Sequence, residues 1–389
     1  MPERHADVLV VGGGAIGLAA AREVARRGRS VCVLERFALG HERGGSAGWE
    51  RQWRIQYSQE RWARLALETL PLWRQLEAEA ERPLVHARGS LWFGQVGVAT
   101  SEGELALAAA VLDALEVPYD WLTALEIERR FGFAALPRDH EGFHQADGGV
   151  IDVRATLEAL AALGVRSGVR VVEHLAVHAL EPDGAGVTVR TARGDFRAES
   201  VIVACGAFTD ALLAPLGCGL GLRVFRMASA HFARRRPDVD LPTWYAFLES
   251  AETGANESLY GFGHDPWTGN DLVRVAPDAE LPVEPGAEAD TALSLRAAEQ
   301  LDRTARWVRA HLPGLTPRPT HPGTCLAALP ADPEREFYLG TLAGRIPDGE
   351  RIVVQAAGWA FKFVPAFGRT CADLATGIDA PPDRLSTPW

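Results

Sequence analysis

The chain has 389 residues, 47% of them hydrophobic, with a formal net charge of −11 and a pI near 5.5. That is enough chain for a large core and two domains, and its acidic balance argues against a nucleic-acid groove or an anionic membrane as partner. The five cysteines, Cys32, Cys205, Cys218, Cys325 and Cys371, show no CxxC spacing, and the 11 histidines are dispersed, so neither a disulfide framework nor a metal site is expected. No charged-then-apolar leader opens the sequence and no apolar run is long enough for a bilayer, which makes the cytoplasm the expected address.

The stretch ADVLVV (6–11) reads as a strand. It turns through GGGAIG into the helix AIGLAAAREVARRG, which Gly28 is placed to end, and SVCVLE (30–35) follows as a second strand. Gly12, Gly14 and Gly17 form GxGxxG across that turn, with Ala15 and Ile16 inside it. Glu35 and Arg36 follow at the end of the second strand. The glycines permit a tight turn, close approach of a pyrophosphate and close helix–strand packing, and the Glu35 carboxylate suits ribose hydroxyls. The alternative is a glycine-rich turn without a ligand. The motif alone does not separate NAD from FAD. Its place at the start, with a long mixed second half returning to the first domain, favours FAD.

Next, in HERGGSAGWERQWRIQY (41–57), Arg51 and Arg54 stand three apart. Gly44, Gly45, Ser46 and Gly48 precede them, and Trp49 and Trp53 flank them. Small residues beside aromatic bulk suit close approach to a flat ring, while a solvated surface turn is the plainer reading. Residues 60–82 have helical spacing at Trp62, Leu65, Leu70, Trp73 and Leu76, with Pro71 as a possible kink. Residues 83–148 mix the strand GSLWFG with two helical runs, ELALAAAVLDAL and ALEIERRF. The helix ATLEALAALGV then leads to the strands VRVVEH, GVTVRTA and DFRAESVIVA. From 221 to 329 the pattern is sheet-rich, with HFARR, WYAFLES, SLYGFG and LVRVAP, and one helix, LSLRAAEQLDRTARWVRAHL.

The chain closes with the strand RIVVQAAG and a helix in FKFVPAFGRTCADLATG, where Pro365 suits the first turn and Gly377 the C-terminal cap. Of the 40 basic residues one is a lysine, Lys362, and it sits between that strand and that helix. An arginine-biased composition can leave one lysine behind by chance. A narrow pocket beside a cofactor, however, admits a compact ammonium and rejects a planar guanidinium. The expected fold is α/β, a Rossmann-like FAD-binding domain (1–82, 149–220 and 330–389) interleaved with a sheet-rich α+β substrate domain (83–148 and 221–329).

Three of these stretches together resemble the monomeric sarcosine oxidase and N-methyltryptophan oxidase family, FAD-dependent amine oxidoreductases of the D-amino-acid-oxidase superfamily. HERGGSAGWERQWRIQY resembles their flavin-contacting segment, HPGTCLAAL (321–329) the segment whose cysteine bonds the flavin, and GWAFKF (358–363) their GHGFKF-like segment. ESVIVACGAFTDALL (199–213) is similar to their second FAD-domain strand and turn. The resemblance implies that Lys362 and Arg54 grip a substrate carboxylate and that Arg51 lies beside the flavin and favours its reduced form. It implies that Cys325 is the covalent flavin anchor, where the residues alone suggest a small buried hydrophobe. It also adds Gly45, Ser46, Val177, Cys205, Gly206, Gly358, Trp359 and Phe361 to the cofactor set. By composition alone Cys205 and Cys371 read as core residues.

There are departures. Arg274, in NDLVRVAPD, stands at or next to the position of the family's oxygen-activating lysine. Ala327 stands where the sarcosine-type enzymes often have tyrosine, Pro277 and Asp278 where they carry a histidine, and Trp359 and Ala360 where the GHG stretch has histidine and glycine. Tyr260 is retained. Trp49, Trp53 and Trp359 are expected to line an aromatic-friendly cavity, so the substrate is expected to be larger than sarcosine. The expected function is oxidation of a secondary or cyclic amino acid, aromatic ones and biosynthetic intermediates included, to an imine by hydride transfer to FAD, with O2 returning the flavin and giving H2O2, in a monomer. Alternatives are a dehydrogenase with another acceptor, an aromatic flavin monooxygenase (whose late GD motif is missing), and a flavin-binding protein without chemistry.

Overall fold

The computed structural model describes residues 4–100, 102–236, 240–250, 252–283, 293–331 and 337–377. The strand His5–Val11 is the centre of an eight-stranded sheet and pairs in parallel with Phe196–Val203 on one side and Val31–Leu34 on the other. Arg170–Val172 extends the sheet beyond Val31–Leu34, and Ile352–Ala356 pairs in parallel with Val201–Val203. The inner strands are buried on both faces, as their unbroken apolar runs require. The expected βαβ unit is present: the helix Ala15–Arg26 follows the glycine turn, and Gly28 leaves it at φ +75°.

That helix packs on Val364–Ala375 and Val153–Arg166. Its approach to Val364–Ala375 depends on Gly368, where a Cβ would lie 2.5 Å from the Ala19 Cβ. Arg27 pairs with Asp373 across the same contact, while Arg22 and Arg26 reach Glu79 on the helix Glu60–Ala80. Glu60–Ala80 runs as one helix through Pro71. Trp62, Leu65, Trp73 and Leu76 bury one face, and Leu70 packs half-buried beside them.

A nine-stranded sheet occupies the second half. Its order is Leu281–Pro282, Leu222–Arg234, Leu272–Pro277, Leu259–His264, Thr243–Phe247, Ser90–Gly94, Glu141–Gln145 and Asp120–Thr123, with Leu315–Pro330 paired along Leu222–Arg234. Leu315–Pro330 is a strand that the sequence conceals, because Pro317, Pro319, Pro322 and Gly323 look like breakers. Its pairing is with Leu222–Arg234, and an edge of this kind tolerates prolines. A three-stranded sheet of Glu50–Trp53, Gly149–Asp152 and Val85–Ala87 lies apart from both. The α/β fold with a sheet-rich second unit is thus present. Among the described residues no helix is long and apolar enough to cross a membrane.

Replacing Gly368 by alanine is expected to push the two helices apart and cost about 1–3 kcal/mol, read as a lower urea midpoint with an unchanged slope.

Candidate active site

A cavity of about 530 Å³ takes its walls from both large sheets. On one side the turn residues Gly12, Gly14, Ala15 and Ile16 open the N-terminus of Ala15–Arg26 onto it, the end of a helix that favours an anion. Gly12, at φ +105°, lies so near Ala204 that a Cβ would meet the Ala204 carbonyl oxygen at 2.5 Å. Gly17 does not line the cavity. Its own Cβ would fall 1.9 Å from the Gly12 carbonyl oxygen, so its part is to let helix and turn touch.

Glu35 closes the strand Val31–Leu34 and is buried. Its carboxylate accepts from the Gly13 N–H at 2.6 Å and the Phe37 N–H at 2.7 Å. Burial works against its charge, but His41 and these two N–H groups hold its pKa below the ordinary 4.5. Arg36 spreads over the rings of Phe37 and Phe208. Ser46 accepts from the Ala15 N–H at 3.1 Å, tying the 44–46 turn to the helix end. Gly45, Val177, Cys205, Gly206, Gly358, Trp359 and Phe361 also line the cavity. Burial pushes the Cys205 thiol up to about 12, which keeps it a protonated, inert group.

On the other side stand Arg51, Tyr260, Arg274, Cys325 and Lys362. Arg51 donates to the carbonyls of Gly45, Ala47 and Glu50 at 2.7–2.8 Å. Cys325 lies opposite Met227 in the long strand pair, with its side chain at the cavity wall. Burial raises the Tyr260 hydroxyl to about 12. Lys362 is buried, and its Nζ lies 5.9 Å from the centre of the Tyr57 ring. The buried Trp73 indole donates to the Lys362 carbonyl at 2.8 Å and fixes the backbone there.

The structure differs from the sequence reading in two respects. Trp49 and Trp53 do not reach the cavity. The strand Glu50–Trp53 gives the cavity Arg51 and Gln52 and sends Trp53 into the core, while Trp49 packs on His231. Of the three tryptophans Trp359 is at the wall. Arg54 is fully buried between the Tyr57 and Trp92 rings and ion-paired with Glu102. Burial opposes its charge, and Glu102 holds it above the usual range. Arg54 and Glu102 share a small adjoining pocket with Tyr57, Trp62, Phe337, Trp359 and Phe363, while Glu102 also lines the main cavity. Among the cavity residues that no motif announces are Glu102 and Tyr245, and Asp278, which the sequence marks only as a departure from the family, is there too. Tyr245 donates to the Asp278 carboxylate at 2.5 Å.

A family model described as FAD dependent oxidoreductase matches residues 7–374. The chain belongs to this family. It is 29% identical to the peroxisomal sarcosine oxidase of Homo sapiens over 98% of this chain and 95% of that protein. To the N-methyl-L-tryptophan oxidase of Citrobacter koseri it is 26% identical over 98% of each. Among solved structures NikD, "an unusual amino acid oxidase essential for nikkomycin biosynthesis", superposes with a TM-score of 0.93 at 48% identity, covering 98% of this chain and 97% of NikD. The cavity suits FAD: a glycine turn with no room for side chains, a helix N-terminus and buried cations around one continuous space.

Because the folded Glu35 pKa is depressed, its contribution to stability is present above about pH 4.3 and lost as pH falls through the folded value. Glu35→Gln is expected to lower stability by about 1–2 kcal/mol near neutrality. The difference from wild type should close in acid, as followed by denaturant midpoints across pH.

Proposed function

We propose that the protein oxidises a secondary or cyclic amino acid, larger than sarcosine, to the corresponding imine. The observation that carries this reading is the convergence of cations and carboxylates on one cavity: buried Lys362 and Arg274 and half-buried Arg51, with half-buried Glu102 and Asp278. An amino acid needs both kinds of partner. Lys362 binds the substrate carboxylate in a charge-assisted pair. Arg54 does not line the cavity, so in place of gripping the substrate carboxylate it holds and orients Glu102. Glu102 and the Tyr245–Asp278 pair face the substrate nitrogen and accept its proton as positive charge develops there. Tyr260, Tyr245, Phe262 and Trp359 give the remaining wall an aromatic surface, which supports a ring-bearing substrate.

Gly12, Gly14, Ala15 and Ile16 would hold the FAD pyrophosphate, Glu35 the ribose, and Cys325 the flavin covalently. When bound, FAD supplies the two-electron acceptor for the carbon–hydrogen bond beside nitrogen. The chain supplies position and charge: it orients that bond, and its walls exclude bulk water. The cofactor unit in this reading comprises residues 1–82, 149–220 and 330–389, and the substrate unit 83–148 and 221–329. O2 is the electron acceptor, giving H2O2, and the protein acts as a monomer. Arg274 in place of the family's lysine favours a second reading, a dehydrogenase using another acceptor. Peroxide formed per imine separates the two.

Acid denaturation followed by intact mass and peptide mapping is expected to leave the flavin on Cys325. A flavin that washes free contradicts the covalent link. Lys362→Met is expected to raise KM for the amino acid by roughly 100-fold, the size of a lost charge-assisted hydrogen bond. The loss should be smaller for the corresponding ester.

A further inference from the structure

Arg51, half-buried, and Arg274, buried, both stand at the cavity, and a single residue links them. The Glu50 carbonyl accepts from Arg51 at 2.8 Å and from Arg274 at 3.2 Å. The Glu50 carboxylate, 2% exposed, has its Oε1 3.7 Å from Arg274 and 3.4 Å from His231 Nε2. Burial opposes the Glu50 charge. His231, Arg274 and Arg51 overcome it and hold the pKa below the ordinary value, so Glu50 is an anion at neutral pH.

The neighbouring acids do not share this task. Asp152, opposite Glu50 in the antiparallel pair, caps a helix by accepting from the Ala155 N–H at 2.9 Å. Asp265 is buried, with Oδ1 unpartnered, and burial followed by the nearby Glu50 raises it to about 8, which leaves it protonated at pH 7. Of the acids behind the cavity wall, Glu50 is therefore the ionised one placed against both arginines. Glu50 itself does not line the cavity. It stands behind the two arginines.

We infer that Glu50 is a positioning residue that aims Arg51 and Arg274 at the flavin edge and cancels one of their two charges, and so sets the flavin's reduction potential. This rests on the FAD site proposed above. An uncancelled pair would favour the electron-rich reduced flavin and make its return to the oxidised state harder. With Glu50 present the site keeps one net positive charge from this trio, enough to assist reduction without trapping its product. The choice of a carboxylate one residue before Arg51 is explained by this balance. A purely structural anchor would need no more than the Glu50 carbonyl, which any residue supplies.

The test is the two-electron midpoint potential of the purified holoenzyme, measured by equilibration with a reference dye, for wild type, Glu50→Gln, Glu50→Asp and Glu50→Gln combined with Asp265→Asn. The combined variant matters because loss of Glu50 removes one of the causes, after burial, that keep Asp265 protonated. Loss of one buried charge behind the cavity wall predicts a roughly tenfold shift of the equilibrium toward reduced flavin in the combined variant, about 30 mV upward for two electrons. Glu50→Gln should move in the same direction by no more than this. Glu50→Asp keeps the charge but draws it back from Arg274, and is expected to rise by about threefold in the same equilibrium. It decides the matter if Glu50→Gln does not fold. Potentials within twofold of wild type in every folded variant, or a shift downward, would overturn the inference, even with stability reduced. The wild-type flavin spectrum in the same samples reports the cofactor reading separately.

Discussion

Keeping several cations out of water around one cavity is the constraint on which this structure turns. An isolated buried charge is costly, and it survives only with partners. Each cation here has a different solution. Arg54 has Glu102 and two aromatic faces. Arg51 has three backbone carbonyls and the face of Phe361. Arg274 has Glu50 and the Phe262 ring. Lys362 is held near Tyr57, with its backbone fixed by Trp73. Some partners are local, such as Tyr57 near Arg54 and the 45–50 carbonyls before Arg51, but Glu102 and Trp92 for Arg54, Phe361 for Arg51 and Glu50 for Arg274 come from far along the chain. The two large sheets and the helices against them must be assembled before the charges are affordable, so site and fold are one cooperative object.

This also explains what was legible in the sequence. The dinucleotide turn was readable because its logic is local: a strand, three glycines, a helix and an acid lie within one βαβ unit. Arg51, Cys325 and Lys362 were singled out through the family resemblance of short stretches, and all three reach the cavity. Glu102 and Tyr245 were not, because nothing in their neighbours distinguishes them, and Asp278 was visible only as a departure from the family pattern. Tyr245 and Asp278 meet only when Thr243–Phe247 pairs with Leu259–His264, and that strand with Leu272–Pro277. Trp49 and Trp53 misled because aromatic bulk near a glycine turn says nothing about which face of a strand it takes.

The departures from the family pattern form a coherent set. Where small or hydrogen-bonding residues were expected near the cavity, the chain places Trp359, Ala327 and Asp278. Together with Glu102 these make the space more aromatic on one wall and more acidic on another. Arginine is accepted at position 274, where a carboxylate and a ring can flank a flat guanidinium. Lysine is kept at position 362, in a short helical turn packed between core residues, where a slender side chain suits the space. The single lysine of the chain is therefore best understood by its place in the packing.

In the proposed reaction this cavity recognises a substrate by its carboxylate and oxidises it beside its nitrogen. The most direct measurement is anaerobic bleaching of the flavin absorbance by a panel of secondary and cyclic amino acids, each beside its methyl ester and its decarboxylated amine. The account predicts rapid bleaching by ring-bearing amino acids, with esters and amines at least 100-fold less effective, as loss of a charge-assisted pair requires. Amines that bleach as fast as the acids, or a panel in which sarcosine is the best substrate, would contradict it.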